Sequence, residues 1–216
     1  MIKIFAYCGI FSAIIMSFAD MLLDLKGKDN TDLGKLELIK SSWDHMDEKR
    51  FSYSILIAMV GAPLQMLGCT AMAYQMSLQD KNFALAFWMI CLIGATGSFF
   101  IHTLICLFPL IYKYMKPHYT FEMIDDFINH LFTLLKIPFS IQYLCLVGLS
   151  GVMIIYAIIT NVISLPISFI ILTPPVLTLL GLTLRKIKHD WFYDLPGIIM
   201  PSVGVGCIGL LALFTM

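Results

Sequence analysis

Long stretches without a charged residue dominate this sequence and limit what it can fold into. Such runs cover residues 4–19, 51–79, 82–112, 137–184 and 195–216, about two thirds of the 216 residues. Only 13% of the residues are charged and 59% are apolar, against roughly 25% and 45–50% in an ordinary soluble domain. A soluble fold of this length cannot bury so much apolar surface. The sequence therefore predicts an integral membrane protein, and it argues against disorder, a disulfide scaffold and nucleic-acid binding.

The lengths of these runs predict an all-α membrane protein, a single domain over 1–216 built as a bundle of six transmembrane helices. One span needs about 20 mostly apolar residues. The run 137–184 is long enough for two spans, with a break near Pro166 where proline and polar residues favour a turn. We place the spans at about 4–25, 53–77, 84–112, 138–160, 165–184 and 195–216.

The distribution of basic residues predicts the orientation of the chain. Twelve of the fourteen Lys and Arg fall in alternate loops: Lys26, Lys28, Lys35, Lys40, Lys49, Arg50, Lys113, Lys116, Lys136, Arg185, Lys186 and Lys188. The opposite side holds only Lys3 and Lys81. By the positive-inside rule, the larger loops are cytoplasmic and both termini lie outside a multi-pass protein of the cell membrane.

Two of the cytoplasmic loops show apolar residues at helical spacing. Residues 29–50 carry Leu33, Leu36, Ile39, Trp43 and Met46, and residues 119–136 carry Phe121, Ile124, Ile128, Leu131 and Leu135. This pattern predicts two amphipathic helices on the cytoplasmic side, which either pack against the bundle or present a docking surface to a partner.

Polar side chains inside the predicted spans mark a candidate site. Carboxylates within a span are costly and usually face the bundle interior or water. The candidate ligand-binding residues all fall in the cytoplasmic half or near the middle of the membrane: Asp20, Asp24, Gln65, His102, Gln142 and Tyr143. Prolines interrupt several of the same helices and release backbone carbonyls that need partners. We therefore predict a polar cavity in the cytoplasmic half, in which Asp20 and His102 share a hydrated site.

The sequence gives little support for a metal, a cofactor or a catalytic nucleophile. His102 and Cys106 share one helical face, but no other span offers a histidine to complete a metal site. The run Gly148–Gly151 resembles the Gly-x-Ser-Gly of rhomboid proteases, which also have six spans. Those enzymes resemble one another in a histidine on the sixth span that activates the serine, and residues 195–216 contain none. We expect neither a metal nor a cofactor.

One set of short motifs resembles a known group of proteins. The motifs are Asp20–Asp24, Ser42–Met46, Arg50–Ser52, Gly61–Leu64 and His102. Together they resemble an uncharacterised family of small six-span prokaryotic membrane proteins of unknown function, over roughly the first half of the chain. The resemblance implies the six-helix architecture and implies no activity.

Three functions remain open from the sequence. The first is a protein that binds or transports a lipid or small amphiphile through the cytoplasmic-half cavity, as a homo-oligomer if it transports, because six helices leave little room for alternating access. The second is an intramembrane enzyme that acts on a lipid-like substrate with His102 and Asp20 as acid and base. The third is an accessory subunit of a membrane complex. Membrane lipids are the expected surroundings in each case.

Overall fold

The computed structural model describes residues 1–27, 29–187 and 194–216, and within them the chain is almost entirely helical. The α-helices are α1 (Ile2–Asp24), α2 (Glu48–Ser77), α3 (Lys81–Met115), α4 (Phe121–Tyr143), α5 (Ser150–Ile159), α6 (Pro174–Lys186) and α7 (Leu195–Phe214). Two short strands, β1 (Asp32–Leu33) and β2 (Ile39–Lys40), form an antiparallel hairpin between α1 and α2. Lys28 and Lys188, which enter the charge argument above, lie outside the described residues.

The helices form a bundle in which α1, α2 and α7 lie side by side, α3 packs on α2, and α4 packs on α3. A π-helical segment, Leu144–Leu149, joins α4 and α5 into one continuous helix, Phe121–Ile159. This helix and α1, α2, α3 and α7 are long and apolar enough to cross a membrane. The prediction of an all-α fold compatible with a multi-pass membrane protein is therefore confirmed.

Three glycines bring α1, α2 and α7 into close contact at the end of the bundle far from the β-hairpin. A Cβ built on Gly9 would lie 2.6 Å from Cα of Gly68 and 3.1 Å from Cα of Gly209. No side chain fits between backbones at that distance. We call Gly9, Gly68 and Gly209 the glycine seam, and we call the opposite end, which carries the β1–β2 hairpin, the hairpin end.

The segment 29–50 is not the amphipathic helix that its spacing predicts. It contains the β1–β2 hairpin and a 3₁₀ turn, Ser41–Asp44, and α2 begins at Glu48. Gly34 (φ 87°) and Glu37 (φ 55°) take left-handed backbone conformations that end any helix. The apolar residues still find a core, since Ile39, Trp43 and Met46 are buried, whereas Leu36 is exposed.

The second predicted amphipathic helix, 119–136, is helical but is not a separate element. It forms the first turns of α4 and runs on without a break. Ile124 and Ile128 on its inner face are buried against Ile39 and Trp43 of the hairpin segment. Pro138 lies inside α4 and does not end it, since the helix continues to Tyr143.

The predicted fifth span, 165–184, is not one long helix. It consists of a 3₁₀ helix, Ile167–Leu172, followed by the 13-residue α6. Consecutive prolines, Pro174 and Pro175, open α6, where their missing N–H groups cost nothing but prevent continuation of the preceding helix. The hydropathy of this segment reflects its apolar composition, but it does not show that the helix is interrupted before α6.

Candidate functional site

A cavity of about 350 Å³ occupies the hairpin end of the bundle. Its wall comes from α1, α2, α3, α4, the π-helical segment and α7, and hairpin residues Leu38 and Lys40 line it as well. Gln65 lines the same cavity from the interior of α2, seventeen residues after that helix begins at Glu48, which corresponds to about 26 Å along the helix axis. The cavity thus reaches from the hairpin well into the bundle.

All six residues that the sequence analysis selects line this one cavity: Asp20, Asp24, Gln65, His102, Gln142 and Tyr143. They come from four different helices. Apolar and aromatic side chains, among them Met16, Ile101 and Phe139, make up most of the remaining wall. A few polar groups in a mainly apolar cavity is the usual composition of a small-molecule site.

Asp20 connects three helices through its carboxylate. Ser202 on α7 donates a hydrogen bond of 2.5 Å to Oδ2 of Asp20. Nδ1 of His102 on α3 lies 3.4 Å from Oδ1 of the same carboxylate. The structure thus brings together Asp20 and His102, which the sequence analysis assigns to one hydrated site.

His102 in turn binds α2 through its other ring nitrogen. Nε2 lies 2.8 Å from Oγ of Ser54, and the Ser54 hydroxyl donates to the carbonyl of Ala19 at 2.7 Å. Ser54 is fully buried, and the thiol of Cys106 approaches its oxygen to 3.6 Å. We call Asp20, His102, Ser54 and Ser202 the polar hub.

Ser54 and Ser202 are the two members of the hub that sequence reasoning missed. Serine is common in apolar spans, where it usually bonds a carbonyl of its own helix. Ser150 does so here: it is buried and donates to the carbonyl of Leu146 at 2.6 Å. Only the position of Ser202 directly after Pro201 distinguishes it, and the sequence alone gives no partner for it.

Gln65 has an acceptor that nothing in the described residues satisfies. Its side chain is 2% exposed, yet Oε1 has no hydrogen-bond partner. Buried acceptors are usually paired, and an unpaired one costs roughly 1–3 kcal/mol. This atom is therefore a place where a donor from a ligand or a water would be stabilised.

The remaining charged residues of the wall have fixed partners. Asp24 lies 3.0 Å from Nζ of Lys26, and Lys40 lies 2.9 Å from Asp32 on β1. Partial burial by itself would raise the pKa of Asp32, but its hydrogen bond and charge interaction with Lys40, aided by Asn30, hold that pKa below its usual value. Asp32 therefore stays ionised at neutral pH and keeps the Lys40 ammonium engaged.

Arg50 holds the end of α1 next to the site. Its guanidinium donates to the carbonyls of Met21 (2.9 Å), Leu22 and Leu25 (2.6 Å). The carbonyls of Leu22 and Leu25 lie where a helix C-terminus leaves carbonyls without partners, whereas that of Met21 also accepts from the amide of Leu25. A cation at this end of a helix also interacts favourably with the helix dipole. The contact fixes the last turn of α1, which carries Asp20 and Asp24.

The opposite wall is formed by α4 against α3. A Cβ built on Gly97 would lie 3.0 Å from Cβ of Gln142, so this glycine lets the two helices approach closely at the site. Gln142 is buried, whereas Tyr143 is 39% exposed and packs on Phe139 with ring centroids 5.0 Å apart. Among the residues that the structure describes, no three His, Cys, Asp or Glu side chains are grouped to hold a metal.

Comparison with known proteins gives one match. Residues 1–216 match a family that is described as a family of unknown function (DUF6796). No curated protein and no solved structure matches the chain. The resemblance to an uncharacterised family is thus confirmed over the whole chain, while the prokaryotic source stays a prediction.

Proposed function

The chain belongs to this family of unknown function, and we propose that it binds or transports a lipid or small amphiphile in the cavity at its hairpin end. The observation that carries the proposal is the composition of that cavity. The six polar residues selected from the sequence share it with a mainly apolar wall, and the Oε1 atom of Gln65 has no hydrogen-bond partner among the described residues. A ligand with an apolar body and a hydrogen-bond donor complements both properties.

The volume of the cavity limits the size of what enters it. An engineered protein cavity of about 150 Å³ holds one benzene, which has six carbons. By that proportion, 350 Å³ holds roughly 14 non-hydrogen atoms. A single-chain amphiphile of about ten carbons fits, whereas a complete two-chain phospholipid does not. A larger lipid would have to leave its chains outside.

The acid–base alternative rests on the contact between His102 and Asp20. Ser54, His102 and Asp20 are connected in the order of a nucleophile, a base and an orienting acid. However, the Ser54 hydroxyl is fully buried, does not line the cavity and donates its proton to Ala19. A ligand in the cavity cannot reach it, and the geometry therefore favours binding over catalysis by this serine.

A photoreactive probe tests the binding proposal. Purified protein in lipid nanodiscs is irradiated with a diazirine-bearing decanol, and labelled peptides are identified by mass spectrometry. We expect labelling on cavity-lining peptides of α3 and α4. Ser98→Phe fills the cavity and should reduce labelling about tenfold. Thr96→Phe, on the exposed face of the same helix, is the matched control.

Labelling that is spread over exposed helix faces, or that Ser98→Phe and Thr96→Phe leave equally strong, would contradict a cavity site. Both variants add the same side chain to α3 two residues apart. A difference between them therefore reports the cavity and not a general disturbance of the helix.

We further propose that the chain crosses the membrane six times, with the fifth crossing broken. The 3₁₀ helix Ile167–Leu172 and α6 together extend about 30 Å, the thickness of the hydrocarbon core. They run antiparallel along α7, from the packing of Phe169 on Phe214 to the ion pair of Arg185 with Asp194 at 3.3 Å. At the break, Thr173 donates from Oγ1 to the carbonyl of Ile170, which satisfies a backbone group.

The proposed orientation puts the hairpin end in the cytoplasm and both termini outside. Single cysteines are placed in a variant that lacks the six native ones, and intact cells are treated with a membrane-impermeant thiol reagent. Position 81 and the C-terminus should react, and positions 45 and 118 should be protected. Protection at 81 with reaction at 45 would reverse the orientation, and reaction at 81 with protection of the C-terminus would favour five crossings.

A further inference from the structure

The hydrogen bonds of Ser54 determine where one proton of His102 lies. A serine hydroxyl has a single proton, and Ser54 uses it for the carbonyl of Ala19, which can only accept. Towards Nε2 of His102, at 2.8 Å, Ser54 must therefore accept. Nε2 carries a proton.

The other ring nitrogen then shares a second proton with Asp20. Nδ1 and Oδ1 of Asp20 lie 3.4 Å apart, and without a proton between them two lone pairs would face each other. The pair is either an imidazolium with a carboxylate or an imidazole with a carboxylic acid. Each form holds one proton that a deprotonated pair would lack, so this proton belongs to the pair and not to either residue alone.

This proton balances the negative charge of Asp20, and it is able to leave the cavity. The other charges of the described wall have side-chain partners: Asp24 has Lys26, and Lys40 has Asp32. Arg50 is engaged by carbonyls at the end of α1. The other polar groups facing the pair from α3, α4 and α7 are Cys106, Tyr143 and Ser202, which are uncharged in their usual forms at pH 7.

Loss of the proton leaves Asp20 without a counter-ion in an apolar cavity. An unpaired charge in such surroundings is strongly unfavourable. A ligand that carries one positive charge and enters the cavity would restore neutrality and replace the proton. Since the wall is mainly apolar and the volume exceeds that of a bare ion, the cation that fits has a hydrocarbon body.

We infer, on the basis of the proposed binding function, that the cavity takes a monovalent organic ammonium in exchange for the proton held by Asp20 and His102. The ammonium forms an ion pair with the Asp20 carboxylate as the proton leaves to water, so the charge of the site is the same before and after. The hydrocarbon body lies against the apolar wall. Binding of such a ligand is therefore linked to pH, whereas binding of a neutral amphiphile of the same length is not.

Decylammonium and decanol form a matched pair of probes for this exchange. Protein in nanodiscs of zwitterionic lipid is labelled with the diazirine-bearing decanol, and each compound is used to displace that label from pH 5 to pH 9. We expect decylammonium to displace about tenfold better for each pH unit over the range in which the free site still holds its proton. Decanol should show no such dependence. In weak buffer, a pH indicator should report about one proton released for each decylammonium bound.

Two variants assign the effect to Asp20. Asp20→Asn should abolish proton release and make decylammonium no better than decanol, while decanol still displaces the label, which also shows that the cavity is folded. Asp126→Asn, an exposed carboxylate on α4 outside the cavity, should behave as the unmodified protein. If Asp20→Asn does not fold, the proton count and pH slope of the unmodified protein still decide.

The outcomes of these experiments distinguish the exchange of a proton for an ammonium from the binding function on which it rests. Failure of the decanol label to enter the cavity would refute the binding function itself. Decanol that binds together with decylammonium that binds without proton release and without pH dependence would overturn the exchange alone. Proton release by sodium chloride without any amine would assign the site to an inorganic cation and overturn the organic ligand.

Discussion

The two ends of the bundle are packed in opposite ways. At the glycine seam, α1, α2 and α7 touch through backbone atoms, since Gly9 and Gly68 leave no room even for a methyl group. At the hairpin end, side chains of the polar hub hold α1 to α2, α3 and α7 around a cavity. One end is fixed by close approach and the other by hydrogen bonds. The same helices are therefore in backbone contact at one end and enclose a cavity at the other.

The difference is encoded along α1 itself. Gly9 and Asp20 are eleven residues apart, about 16 Å along the axis. Small residues permit helices to pack closely where no polar group needs a partner. A carboxylate instead requires polar partners. Ser202 donates a hydrogen bond to Asp20, and His102 lies 3.4 Å from it, so α7 and α3 are separated from α1 by the length of these side chains.

The largest effect is expected from a methyl group in the seam. Gly9→Ala places a Cβ 2.6 Å from Cα of Gly68, so the backbones must separate. Overpacking of this kind costs about 1–3 kcal/mol, and we expect a clear decrease in the midpoint of thermal unfolding in detergent. The matched control is Gly148→Ala, where the nearest atom is a Leu144 side-chain carbon at 3.4 Å.

If Gly9→Ala and Gly148→Ala unfold at the same temperature, the seam is not a rigid contact and the contrast between the two ends fails. If only Gly9→Ala is destabilised yet also loses decanol labelling, the seam determines the shape of the cavity as well. Loss of stability with labelling retained would show that the two ends act independently.

A smaller effect is expected from removing the acceptor of His102. Ser54→Ala leaves Nε2–H in a buried site without a partner, which costs about 1 kcal/mol for hydrogen bonds within membrane proteins. Ser140→Ala is the control, because Ser140 is exposed and bonds only a carbonyl of its own helix. Thermal unfolding measures both variants.

Combining Ser54→Ala with His102→Phe should destabilise the protein by less than the sum of the two single variants, since the double variant removes the donor together with its acceptor. Losses that add up fully would indicate that His102 is held by Asp20 and not by Ser54.

Several features of the site can be predicted from the sequence because they depend on the free-energy cost of placing one type of residue in an apolar segment. An ionisable group within an apolar run must find partners or water. This rule predicts that Asp20, Asp24 and His102 face a polar cavity, and all three line the same one. Basic residues and run lengths likewise predict helices and their ends. None of these inferences requires knowledge of which helices are neighbours.

The features that sequence reasoning missed all depend on neighbours or on local backbone geometry. Ser54 and Ser202 matter only because Ala19 and Asp20 lie opposite them. The spacing of Ile39, Trp43 and Met46 suits a helix, yet it equally suits a hairpin followed by a 3₁₀ turn, in which they are buried. Gly34 is the available signal for that alternative, whereas glutamate at position 37 favours a helix and gives no sign of its left-handed backbone.

The last prediction is local and concerns the docking of the hairpin over the cavity. Gly34 has φ 87° and lies against Asp125 of α4, whose Oδ2 accepts from the amide of Lys35 at 3.0 Å. In Gly34→Ala, the new Cβ overlaps Oδ1 of Asp125 and the left-handed conformation costs about 1–2 kcal/mol. Gly27→Ala carries the same conformational cost at φ 86° but has open space around it.

Amide hydrogen exchange over residues 31–41 separates these two contributions. The Ser41 amide donates to Thr31 at 3.0 Å and should exchange faster in Gly34→Ala than in Gly27→Ala, because only the former pushes the hairpin from α4. Since Leu38 and Lys40 line the cavity, Gly34→Ala should also weaken retention of the decanol label, and Gly27→Ala should not. Equal exchange in the two variants would mean that the hairpin is held by its buried Ile39 and Trp43 alone, and that closure of the cavity does not depend on Asp125.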